Sequence, residues 1–119
     1  MDDDLVGSGR YLRIRTRGGR TGEPRTVTVG FIEDEASDGA LLVASRAGSA
    51  WARNLLANPG CVVETADRTF TAVAEPLEAA DHARAIRGLI IRYGTPAERL
   101  GHGPSFRLRP AATSGEPDA

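Results

Sequence analysis

Lysine is absent from this chain of 119 residues, which contains fifteen arginines. Schiff-base and pyridoxal chemistry need an amine side chain, so both are excluded. Cysteine occurs once, as Cys61, which excludes a disulfide or a thiol pair within the chain. His82 and His102 stand in no metal-ligand spacing with Cys61, so we expect no metal site.

Long hydrophobic runs are also absent, so we expect no transmembrane span. The first ten residues, MDDDLVGSGR, are acidic and polar and lack the features of a signal peptide, which predicts a cytoplasmic protein. The formal net charge of −1 argues against a nucleic-acid binder, which needs a basic face. The length favours one domain with a single core.

The pattern of the chain predicts a β-rich α+β domain over residues 10–110. It lies between a flexible arm over 1–9 and a disordered tail over 111–119. Alternating or apolar segments and turn residues predict six strands, two of which meet in a tight turn near Asp67. These strands cover 11–17, 24–34, 40–45, two segments within 61–77, and 106–110. A short helix capped by Ser49 and a longer helix over 78–94 complete the layout, which fits a barrel or a sandwich.

The first candidate site is the glycine-rich turn after the first strand. Arg20 lies inside the turn, Arg17 and Arg25 flank it, and Thr21 adds a hydroxyl. Backbone N–H groups of such a turn can surround an anion, and arginine binds phosphate or carboxylate through two parallel hydrogen bonds. The alternative is a solvated hairpin that binds nothing.

The second candidate site follows the apolar segment 40–45. Ser45, Arg46 and Gly48 precede the N-terminus of the short helix, where free N–H groups favour an anion. The alternative is a purely structural loop, with Trp51 in the core and Asn54 as a helix cap or a bridge between loops.

Together the two sites resemble the deazaflavin-dependent nitroreductase family, whose members use coenzyme F420, an 8-hydroxy-5-deazaflavin. The family's first motif runs approximately T-x-G-R-K-S-G-x-x-R-x-x-P-L, and TRGGRTGEPRTVTV stands in its place here. Its second motif, V-A-S-K-G-G followed by W-Y-x-N-L-x-A-N-P, is similar to VASRAGSAWARNLLANP, and PSFRLRP is similar to the closing strand. The resemblance implies a six-stranded antiparallel split β-barrel of the FMN-binding type with two or more helices.

The resemblance also implies roles for individual residues, position by position. Coenzyme-binding positions would be Arg20, Thr21, Arg25, Val27, Thr28, Val29, Ser45, Arg46, Gly48, Trp51 and Asn54. The chain departs from the family pattern at Gly19, where the family has arginine, at Thr28, where it has proline, and in a shorter loop before Trp51.

The implied reaction is hydride transfer from the reduced coenzyme to a quinone, an enone or a nitro compound. The proton would come from water, Tyr93 or His102. The fold alone leaves two rivals open, an oxidoreductase that uses flavin mononucleotide and a non-catalytic carrier of lipid or haem. Split barrels often pair, so a homodimer is a further expectation.

Overall fold

The computed structural model describes residues 2–17, 23–37 and 39–111. The strands in this part of the chain are β1 (Tyr11–Thr16), β2 (Arg25–Gly30), β3 (Ile32–Glu33), β4 (Leu41–Ala44), β5 (Gly60–Glu64), β6 (Thr69–Pro76) and β7 (Ser105–Pro110). The helices are α1 (Asp2–Gly7), α2 (Ala50–Ala57), α3 (Ala79–Tyr93) and a 3₁₀ helix over Thr95–His102. The predicted α+β class is therefore confirmed at this level.

All of these strands form one antiparallel sheet with the order β2-β1-β5-β6-β7-β4-β3. Its two edge strands, β2 and β3, follow each other in the chain and are separated only by Phe31. The sheet must therefore curl until its two edges meet at this residue, which leaves less open edge than a flat sheet would have.

The break at Phe31 corrects the predicted strand count from six to seven, because the single strand expected over 24–34 is divided there. The Phe31 N–H donates to the hydroxyl of Tyr93 at 2.9 Å and so has no strand partner. Gly30 permits this approach, since a Cβ at that position would lie 2.8 Å from the Tyr93 ring. Tyr93 comes from α3, so nothing local in the segment 24–34 reveals the break.

The core lies inside the curled sheet, and the alternating patterns locate it correctly. Leu12 and Ile14 of β1 are fully buried, and all four residues of the apolar strand β4 are buried. Phe31 is buried, while Val27 and Val29 are half-buried and pack against the core. Phe106 and Leu108 of β7 complete the centre.

The two predicted helices are present, and the structure adds two that the sequence did not indicate. Gly94 ends α3 with a φ of +101°, as its position predicts. The arm expected over 1–9 instead contains α1, whose Val6 is 4% exposed because it packs on the sheet. Of the tail, Ala111 donates to the Thr71 carbonyl at 2.9 Å, and residues 112–119 lie outside the described ranges. Within those ranges, no helix has the length and apolar character to cross a membrane.

Candidate functional site

A cavity of about 410 Å³ lies where β1, β2, α3 and the 3₁₀ helix meet. Its lining consists of Tyr11, Thr28, Val29, Gly30, Ala44, Arg46, Leu89, Tyr93, Pro96, Ala97, Arg99 and Leu100. The volume is in the range of pockets that hold small ligands or cofactors. The lining brings together residues of both family motifs, namely Thr28 and Val29 from the first motif and Arg46 from the second.

Thr28 is the lining residue whose side chain points most clearly to a ligand-binding role. Its hydroxyl is the only buried side-chain oxygen or nitrogen in the described part of the chain that has no hydrogen-bond partner. A buried polar group without a partner costs about 1–3 kcal/mol, so such groups are rare in folded proteins. A bound molecule with a polar edge beside Thr28 would satisfy it.

The electrostatic character of the cavity comes from two arginines. Arg46 follows β4 and Arg99 lies on the 3₁₀ helix, and both side chains are exposed. No aspartate or glutamate is among the lining residues. The cavity therefore combines an apolar interior with positive charge, which favours a ligand that is flat, apolar and anionic at one end.

Tyr93 lines the cavity with its ring, but its hydroxyl is bonded to the backbone. The ring lies 5.5 Å from that of Tyr11. The hydroxyl accepts from the Phe31 N–H at 2.9 Å and lies within donating distance of the Phe31 carbonyl, at 3.1 Å, and of the Arg10 carbonyl. His102, the other predicted proton donor, is exposed and is not among the lining residues.

Ser45 and Gly48 shape the loop that presents Arg46 and do not line the cavity. Ser45 is 1% exposed, and its hydroxyl donates to the Arg46 carbonyl at 2.8 Å and shares a hydrogen bond with Ser49. Gly48 has a φ of +80°, a conformation that other residues rarely adopt, and its carbonyl accepts from Arg53 at 2.6 Å.

The remaining predicted residues lie in or beside α2 and the hairpin of β1 and β2. The amide of Asn54 donates to the Thr16 hydroxyl at 3.0 Å, and that hydroxyl donates to the Arg25 carbonyl at 3.2 Å. Trp51 is half-buried and packs on Phe106, with 6.2 Å between ring centroids. The Arg25 side chain is exposed at the start of β2. Arg20 and Thr21 lie outside the described residues, so the centre of the predicted anion-binding turn is not placed.

His82 and Gly103 were missed by the sequence reasoning, although both support the cavity wall. In the His82 ring, Nε2 lies 2.9 Å from the Gly101 carbonyl oxygen and Nδ1 lies 2.7 Å from the Ser105 hydroxyl oxygen. A Cβ on Gly103 would lie 2.0 Å from the Ser45 carbonyl oxygen. The glycines around His102 were the only sequence signal for such a close approach.

Cys61 is buried and unreactive in character. Burial raises the pKa of its thiol to about 11, so the thiol is protonated at neutral pH. Among the described residues, no group of three or more histidine, cysteine, aspartate or glutamate side chains is arranged to hold a metal ion.

Comparison with known sequences identifies relatives with a named activity. A family model described as F420H(2)-dependent quinone reductase matches residues 6–96. An F420H(2)-dependent quinone reductase of Mycobacterium tuberculosis is 32% identical over 81 residues, which cover 65% of this chain and 53% of the relative. A putative F420H(2)-dependent quinone reductase of Mycobacterium bovis matches to the same extent, with 32% identity over 81 residues. The chain spans about half the length of these relatives, at 53%.

Solved structures confirm the fold alone. HutZ, the heme storage protein from Vibrio cholerae, has a TM-score of 0.73 at 20% identity, covering 92% of this chain and 87% of HutZ. An F420-H2-dependent reductase, FDR-A, has a TM-score of 0.67 at 24% identity, covering 84% of this chain and 94% of FDR-A. The family model and these relatives are described as F420H(2)-dependent quinone reductases, so the expected nitroreductase designation is not confirmed.

Proposed function

Because the chain belongs to the F420H(2)-dependent quinone reductase family, we propose that it binds reduced coenzyme F420 and reduces a quinone. When bound, the coenzyme supplies a hydride, and the quinone becomes a hydroquinone by taking that hydride and one proton while the coenzyme is oxidised. The family's dependence on F420 makes flavin mononucleotide unnecessary as the cofactor. Enones and nitro compounds stay as further acceptors to be tried.

The observation that carries the proposal is the cavity with the unpartnered Thr28 hydroxyl. Thr28 and Val29 of β2 would lie against the deazaflavin ring, and the ring's polar edge would satisfy the hydroxyl. Arg46 supplies positive charge beside the same cavity. The residues present therefore fit a planar, polar-edged ring better than they fit a purely apolar lipid.

The arginines of the β1–β2 hairpin would hold the acidic end of the coenzyme. Arg25 is exposed beside the segment 18–22, which contains Arg20 and Thr21. Its strand is anchored by the hydrogen bonds from Asn54 to Thr16 and from Thr16 to the Arg25 carbonyl. In this proposal Arg20, Thr21 and Arg25 bind phosphate and carboxylate groups.

Four other predicted residues would act on the site through their neighbours. Ser45 and Gly48 set the conformation of the loop that carries Arg46. Trp51 and Asn54 fix α2 against the core and the hairpin. Val27 packs on the core in β2, so its contribution to binding would come from its backbone.

Water is the proton source that the contacts support best. The Tyr93 hydroxyl lies within hydrogen-bond distance of three backbone groups, and moving it would disturb the junction of β2 and β3. His102 is exposed and is not among the lining residues. The protein's own role is to hold donor and acceptor at reacting distance, which supplies much of the rate in such reactions.

The split-barrel classification and the homodimer belong to the same proposal. The meeting of β2 and β3 at Phe31 supports a barrel of the split type. Val62 and Val73 are 38% and 44% exposed on the neighbouring strands β5 and β6, which supports a partner on that face. Light scattering after size exclusion measures the mass directly, and a monomer at all concentrations would contradict the dimer.

The test is a titration of the purified protein with oxidised coenzyme F420, followed by quinone reduction with the reduced form.

Arg20→Ala and Arg25→Ala should each weaken binding of the coenzyme by about 1.5–3 kcal/mol, the range for hydrogen bonds to charged groups. Added salt should weaken binding to the wild type more than to these variants. Arg87→Ala, which removes an exposed arginine of α3 outside the cavity lining, is the matched control. Binding of flavin mononucleotide or haem without coenzyme F420 would contradict the proposal.

A further inference from the structure

The 3₁₀ helix contributes one cationic side chain, Arg99, to the cavity lining. The proposed coenzyme-binding residues do not include it. Four residues of this helix line the cavity, and of these Pro96, Ala97 and Leu100 are apolar while Arg99 is charged. The Arg99 side chain is exposed and makes no ion pair with any residue in the described ranges. An unpaired guanidinium beside an apolar pocket is available for an anionic group on a ligand.

The wall that carries Arg99 is fixed in place by contacts at its C-terminal end. The His82 ring holds the Gly101 carbonyl at 2.9 Å, and the Ser45 N–H donates to the Pro104 carbonyl at 2.9 Å. The close fit of Gly103 on the Ser45 carbonyl adds a backbone contact that has no room for a side chain. These contacts therefore hold the backbone of the segment that carries Arg99 in a fixed position next to the loop that carries Arg46, before any ligand binds.

The other lining residues indicate which kind of ligand the cavity fits. The rings of Tyr11 and Tyr93 lie 5.5 Å apart on one part of the wall, and Leu89 and Leu100 are further apolar members. The lining contains two arginines and no carboxylate. A planar aromatic body with an anionic substituent matches this combination better than a neutral one does.

We propose that Arg99 is a specificity-determining residue that selects quinones bearing a carboxylate or sulfonate group over neutral quinones. The inference rests on the proposed function, in which β2 and Arg46 hold the coenzyme and leave the 3₁₀ wall to the acceptor. The substituent is unchanged in the reaction, and the quinone still takes one hydride and one proton. Arg99 therefore acts on binding of the acceptor and leaves the affinity for the coenzyme unchanged.

The experiment compares 1,4-naphthoquinone with 1,4-naphthoquinone-2-sulfonate at saturating reduced coenzyme. Arg99→Gln should lower kcat/KM for the sulfonate by about five- to tenfold, mainly through KM, because one charge-assisted contact at an exposed site is lost. The neutral quinone should change by less than about twofold, since it has no anion to lose. Arg99→Lys keeps the charge and should retain most of the preference, and Arg87→Gln should behave as the wild type.

Three results would overturn the assignment of Arg99. They are an equal loss for both quinones, no loss for either, and a raised dissociation constant for coenzyme F420 in Arg99→Gln. Wild-type protein that binds the coenzyme and reduces neither quinone would overturn the proposed function instead. In that case, calorimetry with 2-naphthalenesulfonate decides the anion site separately: Arg99→Gln must weaken its binding, and unchanged binding contradicts the site.

Discussion

At the scale of single residues, the hydroxyl of Tyr93 replaces a strand partner at the point where the sheet closes. The Phe31 N–H donates to it at 2.9 Å, and the carbonyls of Phe31 and Arg10 lie within its reach. Its ring lies so close to Gly30 that a Cβ there would be 2.8 Å away. One side chain thus joins α3 to both β2 and the residue that follows it.

Tyr93→Phe should lower stability while leaving the chemistry largely intact. The Phe31 N–H would lose its partner, and an unsatisfied backbone donor in a partly buried position costs about 1–3 kcal/mol. Denaturant unfolding measures this loss, and the pH dependence of quinone reduction tests for a role in proton transfer. Tyr11→Phe, which removes a hydroxyl from the neighbouring ring of the cavity, is the matched control. A pH profile altered only in Tyr93→Phe would identify Tyr93 as the proton donor and refute our choice of water.

At the scale of elements, α2 is bound to the base of the hairpin through a chain of two hydrogen bonds. Asn54 donates to the buried Thr16 hydroxyl at 3.0 Å, and Thr16 donates to the Arg25 carbonyl at 3.2 Å. Thr16 and Arg25 end β1 and begin β2, on either side of the turn expected to hold an anion. The helix therefore fixes the ends of β1 and β2 that flank the segment 18–22.

Asn54→Ala should weaken both folding and coenzyme binding, although Asn54 is not among the lining residues of the cavity. The buried Thr16 hydroxyl would lose its donor, which costs about 1–2 kcal/mol in stability. Leu56→Ala is the control because Leu56 is 55% exposed on the same helix. Chemical denaturation and coenzyme titration measure the two effects. A less stable Asn54→Ala protein with wild-type affinity would show that this chain of hydrogen bonds does not position the turn.

The elements that sequence reasoning located are those set by local patterns. Alternation predicted β1, and an apolar run predicted β4. The break at Phe31 was missed because its cause, Tyr93, is 62 positions away in the chain. A glycine inside the strand pattern, Gly30, was the one local sign of a close approach.

In the candidate site, too, the residues within sequence motifs were predicted, and those placed by contacts between distant segments were not. The resemblance selected Thr28, Val29 and Arg46, and the fold brings all three to one cavity. Arg99 was not predicted, because the 3₁₀ helix is only eight residues long and approaches the cavity through the packing of α3. Sequence motifs identify residues that are close together along the chain. The residues that line the rest of the cavity, such as those of the 3₁₀ helix, are brought there by tertiary contacts.

At the scale of the whole molecule, a network of charges secures the closed sheet near its junction. The carboxylate of Asp34, which follows β3, is fully buried and lies 2.5 Å from Arg107 of β7 and 3.4 Å from Arg84 of α3. Arg107 also contacts Asp81 of α3 at 3.2 Å and Glu75 of β6 at 3.5 Å. Three strands and a helix are thus held by charged groups that were scattered in the sequence.

The ionisation of Asp34 makes this closure sensitive to acid. Burial by itself would raise the pKa of Asp34, but the hydrogen bonds from Arg107 and the Ala36 N–H, with the charges of Arg107 and Arg84, hold that pKa below its ordinary value. A carboxyl group whose pKa is lowered on folding stabilises the folded state above its unfolded pKa, about 4. That contribution is lost as the pH falls through the lower pKa of the folded protein.

Asp34→Asn should therefore lower the free energy of unfolding at pH 7 and flatten its decline in acid. The loss at pH 7 should be about 3 kcal/mol, the lower end for removing one partner of a buried pair, because Arg107 keeps Asp81 and Glu75. Glu35→Gln, at the exposed position next in the chain, should follow the wild type throughout. Urea unfolding from pH 7 down to about pH 2 measures both effects, since the stabilisation is lost below the unfolded pKa of about 4. If Asp34→Asn loses stability in acid as steeply as the wild type does, the acid sensitivity of the fold comes from other carboxyl groups, and the network around Arg107 does not control the closure of the sheet.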